Sequence, residues 1–257
     1  MIIESTYGGR IHESAELRIY ILRQAIMESI GRGGVLMIPI FALERTQEVL
    51  YEINGLYETR QIPLVQVYLD SPLAIDALEI YKRYTKLFDE ESQARLRAGD
   101  DIFKFDGLEL CRSVEQSKRI NRVVTPKVIL AGSGMSNGGR ILYHLKLYLP
   151  GAKNQLLIVS YQSEGTLGRQ LKDGVKQVTI DGERIKVRAK VSAIGSYSSH
   201  ADQPKLLHWL KMIDAPRPEM IFIGHGEEKS GLMLEDGIRQ KLDLKTIIPE
   251  KHKVYEI

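Results

Sequence analysis

Short apolar runs alternate with amphipathic stretches along most of this chain. The runs at residues 35–40, 128–131 and 156–160 are apolar apart from the serine that ends the third, which is typical of strands buried on both faces of a parallel sheet. A longer segment before the first run has Leu17, Ile21 and Ile30 at helical spacing and stops at Gly31. Because strands and helices alternate, the pattern predicts an α/β fold with a largely parallel sheet.

The remaining elements follow from the same periodicities. Strands are predicted at residues 1–4, 64–69, 102–105, 190–194 and 220–223, and a hairpin is predicted at 175–189 around Asp181-Gly182-Glu183. Helices are predicted at residues 43–53, 73–87, 140–149, 203–213 and 232–242. A polar, helical pattern covers residues 89–122.

Composition narrows the class of protein. Of 257 residues, 43% are hydrophobic and 27% charged, as in soluble globular proteins, and no apolar run approaches the ~20 residues of a membrane span. We therefore expect no membrane partner. The single cysteine, Cys111, excludes an internal disulfide framework and fits a cytoplasmic location. The net charge of +3 permits a polyanionic partner.

The candidate chemistry lies at the ends of two predicted strands. The strand at 190–194 runs into a small-residue loop that presents His200 and Asp202, and the strand at 220–223 ends in Gly224-His225-Gly226. Two histidines with an acid beside one of them suggest metal or proton chemistry. For each histidine alone, a polar loop tip is the favoured interpretation, because exposed loop histidines are common; the two loops together favour function.

Two further strand-to-helix turns are candidate phosphate sites, because backbone N–H groups and the helix dipole meet there. Two observations argue against a dinucleotide cofactor at the first turn. Its glycine spacing is one residue longer than in the glycine motif that binds dinucleotides, and Ser160-Tyr161 stands at the next strand end, where such a site usually has an acid that binds the ribose. A tight turn and a capped helix remain the alternatives. The candidate contacts are Gly132, Ser133, Gly134, Met135 and Gly138 in the first turn, and Thr166 and Arg169 in the second.

Six short segments, in the same order over nearly the whole chain, carry a family resemblance. They are Glu4-Ser5-Thr6-Tyr7-Gly8, Ile38-Pro39-Ile40-Phe41-Ala42-Leu43-Glu44-Arg45-Thr46-Gln47, Ala131-Gly132-Ser133-Gly134-Met135, Gly165-Thr166-Leu167, Ser199-His200-Ala201-Asp202 and His225-Gly226-Glu227. Together they resemble the β-CASP branch of the metallo-β-lactamase superfamily, a group of RNA-processing nucleases that includes the endonuclease of pre-mRNA 3′-end processing.

The resemblance implies a role for each motif residue. Glu4 corresponds to motif A, His200 to motif B and His225 to motif C, a ligand of one of two zinc ions. Asp202, in the same segment as His200, is a further predicted catalytic residue. Glu4 would orient His200, which would help to protonate the departing 3′-oxygen. Two zinc ions would activate water and clamp the attacking and leaving oxygens. The reaction would be RNA phosphodiester hydrolysis, as an endonuclease, a 5′-exonuclease or both.

One departure from the family pattern matters for function. The other zinc ligands of the family precede motif A, and this chain has no His-x-His segment. Because a catalytic zinc needs about three protein ligands, we expect a C-terminal portion of a longer protein that alone neither holds two zinc ions nor cuts RNA. The alternative is a non-catalytic RNA-binding or protein-interaction module of the β-CASP fold.

Domains and partners follow from the same resemblance. Residues 11–190 would form a Rossmann-like β-CASP domain that grips RNA, and residues 1–10 with 191–257 would form an incomplete metallo-β-lactamase remnant of αββα type. RNA would lie between the two. The missing lactamase portion is an expected partner, and the exposed edge of the remnant predicts a possible homodimer.

Overall fold

The computed structural model describes residues 1–256, in which the chain forms two compact units. The small unit consists of Met1–Glu13 and the chain from Ser198 onward, and the large unit is Ser14–Tyr197. Both units alternate strands and helices around parallel sheets, which confirms the predicted α/β class. Assignment of the units to a lactamase remnant and an RNA-specificity domain stays a prediction.

Strands and helices alternate along most of residues 1–256. The strands are β1 (Ile2–Glu4), β2 (Val35–Pro39), β3 (Gln66–Asp70), β4 (Leu108–Leu110), β5 (Lys127–Ala131), β6 (Gln155–Ile158), β7 (Gln177–Ile180), β8 (Glu183–Lys186), β9 (Lys190–Ala193), β10 (Ile221–Gly224) and β11 (Thr246–Ile247). The α-helices are α1 (Ala15–Gly31), α2 (Arg45–Glu58), α3 (Pro72–Arg83), α4 (Glu90–Arg97), α5 (Val114–Ile120), α6 (Arg140–Tyr148), α7 (Leu167–Lys172), α8 (Gln203–Lys211) and α9 (Glu228–Leu242).

The large unit is built on a six-stranded parallel sheet in the order β4-β3-β5-β2-β6-β9. Neighbouring residues of β2 point to opposite faces: Leu36 and Ile38 pack in one apolar core, and Val35 and Met37 pack in the other. All four are completely buried. This two-sided burial explains why the strands read as unbroken apolar runs rather than as alternating patterns.

The sheet includes β9, which pairs in parallel with β6 from Gln155↔Lys190 to Ile158↔Ala193. The compact large unit therefore extends to Tyr197, beyond the domain boundary expected at residues 190/191. The predicted hairpin is also present, since β7 and β8 pair in an antiparallel register.

Several element boundaries differ from the sequence-based prediction. Residues 102–105 form no strand; Ile102 and Phe103 are instead buried in the core, where the Phe103 ring meets Tyr81 and Phe88 edge-on. The edge strand is β4, a few residues later. The helix predicted to continue through residue 87 ends at Arg83 and is followed by a 3₁₀ turn.

Side-chain caps set where the helices begin. Ser71 accepts a hydrogen bond from the N–H of Ala74, and Pro72 opens α3 with the backbone angle that a first helical turn requires. Ser113 and Gln116 form a reciprocal capping box at α5.

The small unit contains a three-stranded parallel sheet in the order β1-β10-β11. Its core is formed by Ile3 of β1, Ile221 and Ile223 of β10, and apolar residues of α8 and α9. The register places Glu4 opposite Gly224, so the two strand ends that carry the candidate site lie side by side.

Within the described residues, no helix combines the length and the apolar character needed to cross a membrane.

Candidate active site

Glu4 and His200 form a hydrogen-bonded pair at the end of β1. The carboxylate Oε2 of Glu4 lies 2.6 Å from Nδ1 of His200, and its Oε1 accepts a bond from the N–H of Ala201 at 3.2 Å. A carboxylate at Nδ1 selects the tautomer that carries its proton there. The other ring nitrogen, Nε2, is thereby left for chemistry.

The second histidine, His225, directly follows β10. Its backbone has φ of 47°, a left-handed conformation that is uncommon outside glycine, and its ring centroid lies 5.1 Å from that of His200. The turn depends on Gly226, because a Cβ there would come within 2.3 Å of Ser5 Oγ and 2.6 Å of the Ser5 backbone. Only glycine lets the two strand ends approach this closely.

Thr6 is a site residue that sequence reasoning missed. Its Oγ1 lies 3.2 Å from Nδ1 of His225 and 3.4 Å from Nδ1 of His200, and it donates to the carbonyl oxygen of His225 at 2.9 Å. Thr6 is almost completely buried. The residue stands in the motif A segment, but no spacing rule indicates that its hydroxyl would reach both imidazoles.

The donor set can be tested for its fit to zinc. Glu4, His200 and His225 offer ligand atoms that all lie within 4.8 Å of one another, and zinc accepts imidazole nitrogen and carboxylate oxygen. Two ligands on one tetrahedral zinc are about 3.3 Å apart when each bond is about 2.0 Å. The 2.6 Å between Glu4 and His200 is instead a hydrogen-bond length. Of the three residues, His225 therefore fits the role of metal ligand, and Glu4 and His200 form a hydrogen-bonded pair beside it.

Asp202 occupies a different environment. Its Oδ1 accepts from the N–H of Lys205 at 3.1 Å and thereby caps α8, and its Oδ2 accepts from the N–H of His12 at 3.0 Å. Burial lowers the pKa of the His12 imidazole, although the Asp202 charge acts in the opposite direction. The structure does not bring Asp202 into the group of possible metal ligands; its contacts fix the loop that carries His200, and a catalytic role stays a prediction.

In the large unit, the two candidate phosphate turns are joined. The N–H of Gly168 donates to the carbonyl of Met135 at 3.1 Å, and the N–H of Leu167 donates to Asn137 Oδ1 at 3.0 Å. The carbonyl of Gly134 accepts from Ser160 Oγ and Gln162 Nε2. The predicted residues of both turns therefore share one region at the carboxyl end of β5 and β6.

The backbone donors of the first turn have the character of an anion site. Ser133 and Ser136 donate their N–H groups within the turn, whereas the N–H groups of Gly134, Met135 and Gly138 find no protein acceptor among the described residues. Free N–H groups close to the start of a helix can receive an anion.

The residues of the second turn also have structural contacts. Thr166 caps α7 by accepting from the N–H of Arg169 at 3.1 Å. The Arg169 guanidinium bonds Asp173 Oδ2 at 2.9 Å and the Gln162 carbonyl at 3.4 Å. Both contacts fit the capped-helix alternative, and a phosphate role for Thr166 and Arg169 stays a prediction.

A buried polar cluster centres on Asp70, at the carboxyl end of β3. Asp70 accepts from Arg140 at 2.7 Å and Ser117 at 2.6 Å, and it lies 2.8 Å from Nε2 of His144. Burial alone would raise the pKa of Asp70, but these hydrogen bonds outweigh it and lower the pKa below its usual value. Arg140 also donates to the Cys111 carbonyl at 2.7 Å, so the cluster fixes the start of α6, directly after the first candidate turn.

Two family models match this chain. The Beta-Casp domain matches residues 46–171, and the family described as the Zn-dependent metallo-hydrolase RNA specificity domain matches residues 184–249. Together they cover the large unit from α2 into α7, its last two strands, and most of the small unit's helices and strands.

Individual relatives agree with these matches. The chain is 39% identical over 234 residues to Ribonuclease TTHA0252 of Thermus thermophilus, covering 91% of this chain and 53% of the relative. It is 33% identical to the RNase J-like protein of Methanocaldococcus jannaschii, covering 100% of this chain and 59% of the relative. It is 31% identical to Transcription termination factor FttA of Methanosarcina mazei, covering 96% of this chain and 40% of the relative.

The chain belongs to the β-CASP family of the metallo-β-lactamase superfamily, as its motifs predicted. It spans between 40% and 59% of the length of these three relatives.

Proposed function

We propose that this chain carries the proton-transfer pair and one zinc ligand of a zinc-dependent ribonuclease that hydrolyses RNA phosphodiesters, internally, from the 5′ end or both. The observation that carries the proposal is the 2.6 Å contact between Glu4 and His200, with the His225 ring 5.1 Å from the His200 ring. The relative named Ribonuclease TTHA0252 supports the same reaction class.

The proton chemistry is assigned to His200. Its Nδ1 proton is held by Glu4, so Nε2 is the atom that gives a proton to the departing 3′-oxygen. The Glu4 carboxylate stabilises the imidazolium form between uptake and release of that proton and keeps the ring in one orientation.

The metal is assigned to His225. Thr6 engages Nδ1 and the carbonyl oxygen of this histidine, which directs Nε2 toward a ligand position. Zinc, when bound, supplies the electrophile that activates water and neutralises charge on the phosphate. One histidine is fewer than the three or so protein ligands of a catalytic zinc, so further ligands are required from residues other than these.

RNA binding is assigned to the large unit, as the RNA-specificity domain. The free N–H groups of Gly134, Met135 and Gly138 would receive a backbone phosphate, supported by Gly132 and Ser133, and Arg169 with Thr166 would contribute at the adjoining turn. Such contacts position RNA without reading its sequence. The small unit would be the lactamase part, with an additional lactamase portion and a second copy of the chain as partners, in the cytoplasm.

The test is metal content together with RNA cleavage, measured on this chain and on a version that also carries the residues encoded upstream. Zinc near two per chain and cleavage in the extended version, with neither in this chain, are the expected results. Zinc near two per chain with cleavage by this chain alone would contradict the proposal that further zinc ligands lie outside this chain. Absence of zinc and cleavage from both, with RNA binding retained, would identify a non-catalytic RNA-binding module instead.

A further inference from the structure

The outer face of α8 is exposed and carries both aromatic and cationic side chains. The inner face packs into the small-unit core through Leu206, Leu207 and Leu210. The outer side chains, which we call the α8 platform, are Lys205, His208, Trp209 and Met212. Trp209 is 51% exposed and Met212 is 65% exposed, which is a large apolar area to leave in contact with water.

These four side chains form one continuous patch. Residues 205 and 209, and residues 208 and 212, are four positions apart and so are neighbours on a helix surface. The helix itself is firmly held, because Asp202 caps its first turn and Gln203 Nε2 donates to the carbonyls of Gly8 at 2.6 Å and Met233 at 3.0 Å. The platform is therefore a fixed surface rather than a mobile loop.

The platform and its edge are positively charged. The helix contains no aspartate or glutamate, and the side chains of Lys205 and of Lys211, at the platform edge, form no hydrogen bond or ion pair within residues 1–256. Both lysines are exposed. Their charge is therefore available to an anionic partner.

We propose that the α8 platform binds single-stranded RNA outside the catalytic site, with one base stacked on Trp209 and neighbouring phosphates at Lys205 and Lys211. An aromatic ring flanked by cations is the arrangement that binds single strands without sequence preference. An acidic peptide would use the lysines and leave the indole face unused. The choice of RNA rests on the proposed function.

The chain contains one tryptophan and twelve tyrosines, so tryptophan emission, excited at a wavelength that tyrosine does not absorb, reports on this surface alone. The probe is a twelve-nucleotide oligouridine, added in buffer with a chelator so that neither zinc nor cleavage contributes. We expect saturable quenching of the tryptophan emission that weakens as salt is raised. Inorganic polyphosphate, which has the charge without the bases, should compete for the site and quench little.

Variants then locate the contact by the anisotropy of a fluorescein-labelled oligouridine. Trp209→Leu should weaken binding about tenfold through lost stacking. The double change Lys205→Glu and Lys211→Glu should weaken it at least about tenfold and reduce the salt dependence. Lys104→Glu reverses the charge of one exposed lysine of the large unit that is not a platform residue, half of the charge change in the double variant, and should leave the affinity within about twofold.

Unchanged affinity in Trp209→Leu would overturn the proposal. Equal quenching by oligouridine and by a twelve-residue oligoglutamate would also overturn it, in favour of an acidic protein partner, and a tryptophan blue shift confined to anionic lipid vesicles would indicate a membrane surface. No step of this test requires zinc or cleavage. RNA binding at the α8 platform can therefore be measured even if the ribonuclease proposal is wrong.

Discussion

The Thr6 hydroxyl contacts His225 twice: Oγ1 donates to the carbonyl oxygen of His225 at 2.9 Å and lies 3.2 Å from Nδ1 of the same residue. Because its one proton is directed to the carbonyl, the hydroxyl can only accept from Nδ1. The protonated Nδ1 leaves the lone pair on Nε2. One buried threonine thus fixes both the left-handed backbone and the tautomer of the proposed zinc ligand.

Thr6→Val removes this hydroxyl while keeping the shape of the side chain. We expect a loss of about 1–2 kcal/mol in the free energy of unfolding, because the His225 carbonyl and Nδ1 both lose a partner. In the upstream-extended version, zinc affinity should fall about 10- to 100-fold, as for other residues that orient a metal ligand. Urea denaturation and zinc titration measure the two effects. Thr6→Ser keeps the hydroxyl and should retain most of the zinc affinity; an equal loss in both variants would contradict the hydrogen-bond account.

Gly226→Ala tests the close approach of the strand ends. The new Cβ would lie 2.3 Å from Ser5 Oγ and 2.6 Å from the Ser5 carbonyl oxygen, so the backbone must shift. We expect destabilisation of about 1–3 kcal/mol, as for other overpacked sites. The matched control is Gly224→Ala, two residues earlier, where a Cβ meets nothing within 4 Å. Denaturant midpoints should separate the two variants, and equal midpoints would argue against the steric explanation.

Asp70→Asn tests the buried cluster beside the first candidate phosphate turn. At neutral pH the variant should lose about 2–4 kcal/mol in the free energy of unfolding, because Arg140 and Ser117 lose a fully buried charged acceptor. The folded pKa of Asp70 is lowered, so its stabilisation is present above the unfolded value of about 3.9 and is lost as pH falls through the folded pKa.

The stability difference between wild type and Asp70→Asn should therefore be constant from pH 7 to about 5 and shrink below about pH 4. Urea denaturation across this range measures it. A difference that stays unchanged down to pH 2 would mean that the carboxylate charge does not contribute.

Arg169→Ala tests the proposed contact between the second turn and an RNA phosphate. The guanidinium already bonds Asp173 and the Gln162 carbonyl, so a phosphate would have to share it. We expect weaker RNA binding by a similar factor for every sequence, since phosphate contacts carry no base information. Filter binding with oligomers of different base composition measures this factor. Asp173→Asn, which loosens the hold on the guanidinium, is the control and should not weaken binding; a sequence-selective loss in Arg169→Ala would contradict a phosphate role.

The order of elements could be predicted from the sequence because apolar periodicity marks buried strands directly. Residues 128–131, for example, fall within β5. The prediction of a strand at 102–105 is wrong because Ile102 and Phe103 are apolar for a different reason: the Phe103 ring packs against the rings of Tyr81 in α3 and Phe88 in the segment after it. Short apolar runs do not distinguish these two cases.

The site was predictable only in part. The motif resemblance pointed to Glu4, His200 and His225, and the structure brings these three together. It also pointed to Asp202, whose oxygens bond to backbone N–H groups of Lys205 and His12. The contacts of Thr6 and Asp70 were not predicted, because they join segments that are far apart in sequence. Such contacts depend on strand register and helix placement, which periodicity does not give.

The central claim is that His200 protonates the departing 3′-oxygen. Its most direct test uses the upstream-extended version and an RNA with a bridging 3′-sulfur at the cleaved bond, because a thiolate leaves without the proton that an alkoxide needs. Cleavage of ordinary RNA should fall at least about 100-fold in His200→Ala, and most of that loss should disappear with the sulfur substrate. The defect of His225→Ala should remain with both substrates. An equal defect of His200→Ala on both substrates would contradict the proton-transfer role.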